Sequence, residues 1–424
     1  MAALFFQRVF ESPSDAHYFF GYFNTPQVSF DGSKVLAART DFIDRVPELS
    51  DTATLGYFDL ADPARPFVEI GRTNAFNWQQ GCMLQFSGPD FNRTVLYNRF
   101  DGERFVTEVV DLESGDRRVV ESPVYAVFPD GGRALTIDFA RHYWCRRGYS
   151  YGNIVDPDKN RPVVEGDAIS LVDLKSGTSR PIITIERMLA LKPLSNMAGA
   201  VHYLEHMTIS PDGSKFVFLH RWKPQAGGIH ARLCVSDAEG GDVRILNDSG
   251  RMSHYCWADG DTLLGYGGMA NPINALRKSK AVTKSLFKAL LPIYHALVKD
   301  NSGVAKALTG DSYLLIDTSS GRIKPVAAPL RSDDGHPTML RSGRIFVTDT
   351  YARAKYDQRP ALLAYDLDTE TVHRLDELGS IPELDETPLR CDLHPRVSPS
   401  GEFVSIDTMD RGVRGTYVYR AVVN

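Results

Sequence analysis

The chain has 424 residues, of which 43% are hydrophobic, and a formal net charge of −5 from 48 basic and 53 acidic side chains. This apolar content is enough for a large folded core and excludes a disordered chain. The mildly acidic balance argues against a general nucleic-acid binder, because the phosphate backbone requires a basic protein surface.

Three features of the sequence bear on its cellular compartment. No run of roughly 18 or more apolar residues is present, so we expect no membrane-spanning helix. The N-terminal residues lack a basic segment followed by an apolar run and a small-residue cleavage site, so we expect no standard signal peptide. The five cysteines are scattered and never form a Cys-x-x-Cys pair, which is typical of reduced, buried thiols. These features predict a cytoplasmic protein.

A short signature recurs along the chain: an apolar strand, a turn of the Asp-Gly or Ser-Gly type, and a second apolar strand. Its copies begin at Val28, Gln85, Val127, Thr208, Cys256, Thr338 and Arg396. Turns of this type supply the positive φ angles that tight hairpins require, so each copy predicts a two-stranded hairpin. A second strand–turn–strand signature follows each copy, and the two hairpins together make one four-stranded antiparallel blade.

Seven such units predict an all-β protein, a seven-bladed β-propeller that forms a single domain over residues 1–424. A blade buries both of its faces only when a neighbour stacks on each side. The last unit ends after its third strand, and the apolar residues 4–10 are expected to supply the missing outer strand and close the ring. A β-sandwich with solenoid-like repeats is the alternative.

Two gaps between the copies are longer than the others. Residues 141–164 are rich in aromatic residues, arginines and turn formers, and we expect a long loop insertion that forms one wall of a polar ligand site. Residues 269–310 carry apolar residues at near-helical spacing with lysines on one stripe, which predicts a helical insertion between blades. This basic amphipathic segment is interpreted as a lid, a dimer contact or a membrane-surface anchor, or as a helix docked on the rim with solvated lysines.

Four consecutive copies carry a histidine shortly before the same strand: His206, His254, His336 and His394. Equivalent positions in neighbouring blades point at one axis, so we expect these imidazoles to converge. Asp392 lies two residues before His394, and an extended segment places both on one side. With His336 they form a set of two histidines and one carboxylate, which suits manganese, iron(II) or zinc. Separate histidines that each bond a loop carbonyl are the alternative.

Basic and aromatic side chains near these positions suit an acidic sugar as the partner. A guanidinium fork binds a carboxylate at two points, which lysine does poorly, and aromatic rings stack on the apolar face of a sugar. The candidate substrate-binding residues are Arg221, His220, Arg390, Tyr149, Tyr151, Trp78 and Gln80. Routine ion pairing is the alternative for the arginines, and core packing is the alternative for the segment around Gln80. The absence of phosphate-loop, Gly-x-Ser-x-Gly and His-Glu-x-x-His motifs leaves nucleotide hydrolysis and serine esterase chemistry without support.

The chain resembles oligogalacturonate lyases in short matches over most of its length. The nearest stretches begin at His206, Ala231, Met252, Gly335 and Asp392. The resemblance implies a seven-bladed, cytoplasmic propeller that cleaves short pectic oligosaccharides by β-elimination with the help of manganese. Because the insertion at residues 269–310 has no counterpart in that family, we expect a relative that acts on another acidic glycan.

The resemblance also implies roles for single residues. The family holds its metal with three histidines and a glutamine, and His336 and His394 match two of those histidines. Asp392 stands at the third histidine position and Leu389 at the glutamine position, which departs from the family pattern. Arg232 matches the arginine to which proton abstraction is assigned.

These observations lead to one predicted reaction and two alternatives. A lyase needs a base, which is His254 on chemical grounds or Arg232 by resemblance, because the usual arginine pKa makes deprotonation difficult. His206 is a further catalytic candidate and, with Arg221 and Arg390, a ligand for the sugar acid. A glycoside hydrolase requires paired carboxylates, for which the chain offers Asp349, Asp392, Asp407 and Asp410. A propeller that binds a glycan or a protein without catalysis is the other alternative.

Overall fold

The computed structural model describes residues 4–225, 227–269, 310–330, 334–353, 357–385 and 387–423. Within these residues the strands form seven four-stranded antiparallel sheets, and strands that are consecutive in the chain are neighbours in each sheet. The protein is a seven-bladed β-propeller, as the repeat predicts. The helical insertion predicted for residues 269–310 lies, except at its two ends, outside the described residues.

The first four blades follow the chain without interruption. Blade 1 contains β2 (His17–Phe19), β3 (Lys34–Thr40), β4 (Ala53–Asp59) and β5 (Phe67–Thr73). Blade 2 contains β6 (Gln85–Phe86), β7 (Thr94–Phe100), β8 (Phe105–Asp111) and β9 (Arg117–Val120). Blade 3 contains β10 (Ala126–Val127), β11 (Arg133–Thr136), β12 (Ala168–Asp173) and β13 (Ser179–Thr184). Blade 4 contains β14 (Val201–Ile209), β15 (Lys215–Lys223), β16 (His230–Asp237) and β17 (Arg244–Gly250).

The last three blades complete the ring. Blade 5 contains β18 (Met252–Trp257), β19 (Thr262–Gly268), β20 (Asp311–Asp317) and β21 (Ile323–Val326). Blade 6 contains β22 (Thr338–Met339), β23 (Ile345–Asp349), β24 (Ala361–Asp366) and β25 (Thr371–Glu377). Blade 7 contains β26 (Arg396–Val397), β27 (Phe403–Thr408), β28 (Gly415–Val423) and, as its outer strand, β1 (Leu4–Glu11).

The described residues contain two short α-helices, both in connections between strands. Helix α1 (Phe139–Cys145) lies between β11 and β12 and overlaps the start of the loop insertion predicted for residues 141–164. Helix α2 (Ile185–Leu191) lies between β13 and β14. Two 3₁₀ turns occupy Ser195–Met197 and Ala328–Leu330. Among the residues described, no helix combines the length and apolar character needed to cross a bilayer. The five cysteines are unpaired.

The turns of the repeat have the chemistry that the sequence predicts. Gly213, at the tip of the β14–β15 hairpin, has φ +69°. The carboxylate of Asp212 accepts a hydrogen bond of 3.1 Å from the backbone N–H of Ser214. Asp31 makes the same bond to the second residue after it in blade 1. The turn residues therefore fix the hairpins locally, because glycine adopts the left-handed conformation without steric cost and aspartate bonds the backbone of its own turn.

The N-terminal strand closes the ring. Strand β1 pairs antiparallel with β28, from Leu4 opposite Val423 to Glu11 opposite Tyr417. Residues 4–10 therefore supply the missing outer strand, which confirms the prediction. Phe10 is 3% exposed and packs on Phe58 of blade 1 with ring centroids 4.9 Å apart. The first and last blades are thus joined by an apolar cluster as well as by the strand pairing.

We expect Phe10→Ala to destabilise the propeller by about 3–5 kcal/mol, because it leaves a cavity between blades 7 and 1. Phe5 of the same strand is 57% exposed, so Phe5→Ala is the matched control and should shift stability by less than about 0.5 kcal/mol. The midpoint of urea denaturation, followed by tryptophan fluorescence, measures both. Equal, small shifts for the two variants would show that β1 does not contribute to ring closure.

Candidate functional site

Four histidines from four consecutive blades surround one tyrosine at the centre of the ring. The loop between β2 and β3 carries Tyr22 to this position. The Tyr22 ring centroid lies 4.9 Å from that of His206 and 5.2 Å from that of His394. It lies 6.2 Å from His336 and 6.4 Å from His254. All five side chains are buried, so the structure brings the imidazoles together as the repeat positions indicate.

Irregular backbone turns these histidines toward the axis. The pairing of β14 with β15 shifts register between Glu205 and Thr208, and His206 within this bulge has φ +55°. The pairing of β18 with β19 shifts register around His254 in the same way. His394, just before β26, has φ +47°. Bulges of this kind re-aim a side chain and are frequent beside functional sites.

The Asp349 carboxylate at the end of β23 holds two of the histidines. It accepts backbone hydrogen bonds from His336 (2.7 Å) and from His394 (3.0 Å), and both of its oxygens lie 3.0 Å from His336 Nδ1. Burial raises the pKa of Asp349, but the His336 ring and the two backbone N–H groups outweigh it and hold that pKa below its usual value. An ionised carboxylate only accepts hydrogen bonds, so His336 Nδ1 carries the proton and Nε2 is left for a ligand.

The His336 ring is placed where positive charge is favoured. Burial lowers its pKa, but the Asp349 carboxylate outweighs burial and raises that pKa above its usual value. A carboxylate bonded to the far nitrogen of a histidine is also the common outer-shell arrangement around protein-bound metals. Asp349 therefore favours a cation at His336 Nε2, either a proton or a metal.

His394 presents a lone pair to the centre of the site. Its Nδ1 lies 2.9 Å from the carbonyl oxygen of Gly21, which only accepts, so Nδ1 carries the proton. Its Nε2 is buried and has no hydrogen-bond partner, and the Asp392 carboxylate lies 3.9 Å away. Burial, and then the charges of His336 and Arg396, hold the pKa of His394 well below its usual value. The ring is thus neutral with an unused ligand atom.

The side chains of His336, Asp392 and His394 fit a divalent cation. One ligand atom from each lies within 4.8 Å of the other two, and all three residues are buried. Two imidazoles and one carboxylate suit manganese, iron(II) or zinc. Arg390 Nε lies 3.0 and 3.1 Å from the two Asp392 oxygens, on the outer side of this set.

His254 is the neutral imidazole next to this set. Its ring centroid lies 4.1 Å from that of His336. Its Nδ1 lies 3.1 Å from the hydroxyl of Ser253 and 3.5 Å from the carboxylate of Asp334. Burial, and then the neighbouring His336, lower the pKa of His254 below its usual value. The unprotonated ring is the form that a general base requires.

A second buried carboxylate organises the opposite side of the centre. Glu205 is fully buried, lies 3.0 Å from His142 Nε2 and pairs with Arg146 and Arg221. Burial raises the pKa of Glu205, but the two guanidinium groups outweigh it and hold that pKa well below its usual value. Arg146 Nη1 also donates to His206 Nε2 at 3.1 Å. Burial holds the pKa of His206 well below its usual value, so its ring is neutral. Its Nε2 lone pair is occupied by Arg146, with the Tyr22 hydroxyl 3.4 Å from the same atom.

Arg390 and Tyr149 lie at the mouth of the site. The Arg390 side chain is 33% exposed, and its Nη2 lies 3.5 Å from the Tyr149 hydroxyl. The Arg146 guanidinium lies 3.9 Å from the centre of the Tyr149 ring. Tyr351 packs on the inner side, with its ring centroid 5.6 Å from that of His336. Of the predicted substrate-binding residues, Arg221, Arg390 and Tyr149 therefore adjoin the histidine cluster.

The prediction that Arg232 and His220 face the site is wrong. Both are 0% exposed in the interior of blade 4. Arg232 donates from Nε to His220 Nδ1 at 3.0 Å and from its other nitrogens to the carbonyl oxygens of Lys192 and Met188. His220 Nε2 lies 2.9 Å from Nδ1 of His202, and this chain occupies both ring nitrogens of His220. Arg232 therefore cannot reach a substrate as a base.

Three other residues predicted to contact the substrate are almost fully buried. Tyr151 is 1% exposed and stacks on Phe139 with ring centroids 4.9 Å apart, so it belongs to the core of blade 3 and not to the site. Gln80 is 2% exposed and donates to the hydroxyl of Tyr125 at 3.0 Å, which makes it a buried packing residue. Trp78 is 4% exposed and lines a groove at the rim of the centre.

Several residues of the site are missed by the sequence analysis. Tyr22 has no assigned role in the sequence analysis, although its segment, residues 17–22, precedes the first repeat as the histidines precede the later ones and suits either a substrate contact or core packing. Glu205 is adjacent to His206, and Arg146 lies in the insertion that we interpret as a wall of the site. Asp349 is considered only as a hydrolase carboxylate, because its bridge between two blades has no sequence signature.

Comparison with known proteins gives the fold and no more. No protein-family model and no curated protein matches the chain. An oligogalacturonate lyase from Vibrio parahaemolyticus is similar in structure, with 14% identity, a TM-score of 0.60, and coverage of 99% of this chain and 97% of that one. The β-propeller domain of the Trilobed protease from Pyrococcus furiosus has 12% identity, a TM-score of 0.48, and coverage of 96% and 98%. At 14% identity, the likeness to the oligogalacturonate lyase shows a shared propeller fold alone.

Proposed function

We propose that the protein is a metal-assisted lyase that cleaves a uronic-acid-containing oligosaccharide by β-elimination. The observation that carries this proposal is the meeting of His336, Asp392 and His394 at one point, with ligand atoms within 4.8 Å of one another. A neutral imidazole and a partly exposed arginine lie directly beside this set. These are the three groups that proton abstraction next to a carboxylate requires.

The proposed metal ligands are His336, Asp392 and His394, and the ion is manganese, zinc or iron(II). When bound, the cation supplies positive charge that stabilises the negative charge developing on the uronate carboxylate. Asp349 and the Gly21 carbonyl fix the two imidazole rings through their Nδ1 atoms. Both rings are thereby held with Nε2 toward the centre before any ligand arrives, so little reorganisation is needed on binding.

Arg390 is the residue assigned to bind the substrate carboxylate. Its Nε is occupied by Asp392. The edge formed by Nη1 and Nη2 has only a long contact of 3.5 Å from Nη2 to the Tyr149 hydroxyl, which a substrate carboxylate would replace. Two parallel N–H groups on that edge match the two oxygens of a carboxylate. Because one third of the side chain is exposed, a sugar acid that enters at Tyr149 can reach it.

His254 is the base in this proposal. It takes the proton from the sugar carbon that bears the carboxylate, and the electrons of that C–H bond form a carbon–carbon double bond. The bond from the next carbon to the glycosidic oxygen breaks, and that oxygen takes up a proton from Tyr149 or from water. Ser253 and Asp334 beside Nδ1 orient the ring and stabilise the imidazolium that forms.

The surroundings of the four candidate carboxylates favour a lyase over a glycoside hydrolase, which needs one carboxylic acid held protonated. Asp349 is bound by a histidine and two backbone N–H groups that keep its pKa low. Asp392 pairs with an arginine at 3.0 Å, and Asp407 pairs with another at 2.9 Å. Asp410 is exposed and accepts a hydrogen bond of 3.1 Å from a tyrosine hydroxyl. Each of these four carboxylates therefore already accepts hydrogen bonds from protein donors.

We expect the protein to bind one divalent cation. Loss of an outer-shell partner typically weakens metal affinity by roughly 10–100-fold, and His394→Ala should weaken it by more, because it removes a proposed ligand. Isothermal titration with Mn²⁺ and with Zn²⁺ measures both affinities. His373, exposed on β25, is the matched control, and His373→Ala should bind like the unaltered protein. Equal affinity in the His394 and His373 variants would contradict the proposed ligand set.

Asp349→Asn should lower metal affinity by about 10–100-fold while the fold is retained, because the amide is isosteric but no longer offers two acceptor oxygens to the histidines. Asp368→Asn is the control on the same blade, since Asp368 is 57% exposed and pairs with a surface arginine. The same titration gives the affinities, and circular dichroism checks the fold. An unchanged affinity in Asp349→Asn would mean that the carboxylate does not orient the ligands.

Incubation with uronic-acid oligosaccharides should produce absorbance at about 235 nm from the new double bond. The variant His254→Ala should slow this reaction by about 10²–10⁴-fold, because it removes the proposed base. Removal of metal with a chelator should abolish the signal, and His373→Ala serves again as the control. New reducing ends without absorbance would indicate a hydrolase. Binding of the oligosaccharide without any product would indicate a non-catalytic propeller.

A further inference from the structure

A groove of about 580 Å³ lies beside the central site on the face where the blades are connected. Its walls come from three segments, 46–49, 74–78 and 143–153, together with Pro388. The segments connect β3 to β4, β5 to β6 and β11 to β12, which are all connections on one face of the ring. The volume lies within the roughly 300–1,000 Å³ of small-molecule sites and accommodates more than one sugar ring.

The groove and the central site share a wall. Gly148 and Ser150 line the groove, whereas Tyr149 between them packs against Arg146 and approaches Arg390 on the site side. Pro388, on the opposite wall, precedes Arg390 by two residues. A saccharide whose acid group is held by Arg390 therefore has a continuous path from the mouth of the site into the groove.

The surface of the groove suits sugar rings that carry negative charge. The half-buried Tyr143 is the most accessible aromatic ring of the groove, and Phe76 and Trp78, which are 5% and 4% exposed, line it as well. Aromatic rings pack on the apolar faces of pyranose rings. Arg147 is exposed, and its guanidinium lies 5.3 Å from the centre of the Tyr143 ring and 5.5 Å from that of Trp144. Among the described residues it has no carboxylate partner. A guanidinium of this kind is free to bind a carboxylate in two-point fashion.

We propose that this groove binds further units of the same oligosaccharide and that Arg147 pairs with a second acid group on them. The inference rests on the proposed function and narrows it: the substrate class is an acidic oligosaccharide of three or more units, with acid groups on at least two of them. Glu48 on the far wall accepts hydrogen bonds from sugar hydroxyls. The groove thus acts as a specificity determinant for chain length.

The kinetic test compares uronate oligomers of two to five units prepared from pectate, alginate and hyaluronan, with initial rates read from the product absorbance. For the glycan that is cleaved, kcat/KM should rise by about tenfold or more from the dimer to the longest oligomer. This is the change that one additional charge-assisted hydrogen-bonded pair is expected to give. Arg147→Gln should reduce that ratio to within about threefold of unity. Arg161→Gln is the control, because Arg161 lies in the same insertion, pairs with Asp158 at 3.0 Å and does not line the groove.

Binding separates failure of this inference from failure of the proposed reaction. Isothermal titration of the full chain with the dimer and the tetramer should show tighter binding of the tetramer, and Arg147→Gln should remove the difference. Tighter tetramer binding that depends on Arg147, without any elimination, would contradict the proposed lyase reaction but support oligosaccharide binding in the groove. Elimination with rates independent of chain length would contradict the role of the groove and leave the proposed lyase reaction supported. A length dependence that Arg147→Gln leaves unchanged would do the same.

Discussion

The antiparallel pairing of β1 with β28 is the contact on which the rest of the structure depends. It completes the seventh blade with the first strand of the chain, so seven four-stranded sheets close around one axis. Once the ring is closed, the starts of the innermost strands of all blades meet near that axis. Histidines almost 190 residues apart in the chain, such as His206 and His394, then lie against the same tyrosine ring.

Two buried carboxylates divide the centre into halves with different chemistry. Asp349 is compensated by N–H groups of two blades, and it fixes His336 and His394 in the orientation that suits a metal. Glu205 is compensated by arginines and a histidine, so its half of the site carries fixed positive charge. Burying either carboxylate without these partners would cost several kcal/mol. Each carboxylate is therefore held by several hydrogen bonds to groups from more than one part of the chain.

The fold and the histidine cluster could be predicted because both follow from the repeat. The turn residues mark each hairpin, and equivalent positions in a propeller point at one axis, so His254 and His336 could be placed without coordinates. The role of Arg232 came from the family resemblance and not from the repeat. It fails because the partners of Arg232 include carbonyl oxygens of Met188 and Lys192, in and just after a short helix that has no place in the repeat.

Other parts of the site depend on features that a sequence pattern does not show. Strand alternation would place Glu205 and His206 on opposite faces, but the bulge in β14 brings both to the centre. Tyr151 has the composition of a sugar-stacking residue, and only its stacking on Phe139 assigns it to the core. The spacing of aromatic residues in the sequence does not distinguish a sugar-stacking tyrosine from a core tyrosine.

The most direct measurement of the central claim is anomalous diffraction from crystals soaked in manganese chloride. The account predicts an anomalous peak between the Nε2 atoms of His336 and His394 and the carboxylate of Asp392, at distances of about 2.0–2.3 Å. No charged protein side chain other than Asp392 should coordinate the manganese ion directly. Density showing the two rings bonded directly to Asp392, or a manganese peak elsewhere on the propeller with this centre empty, would contradict it.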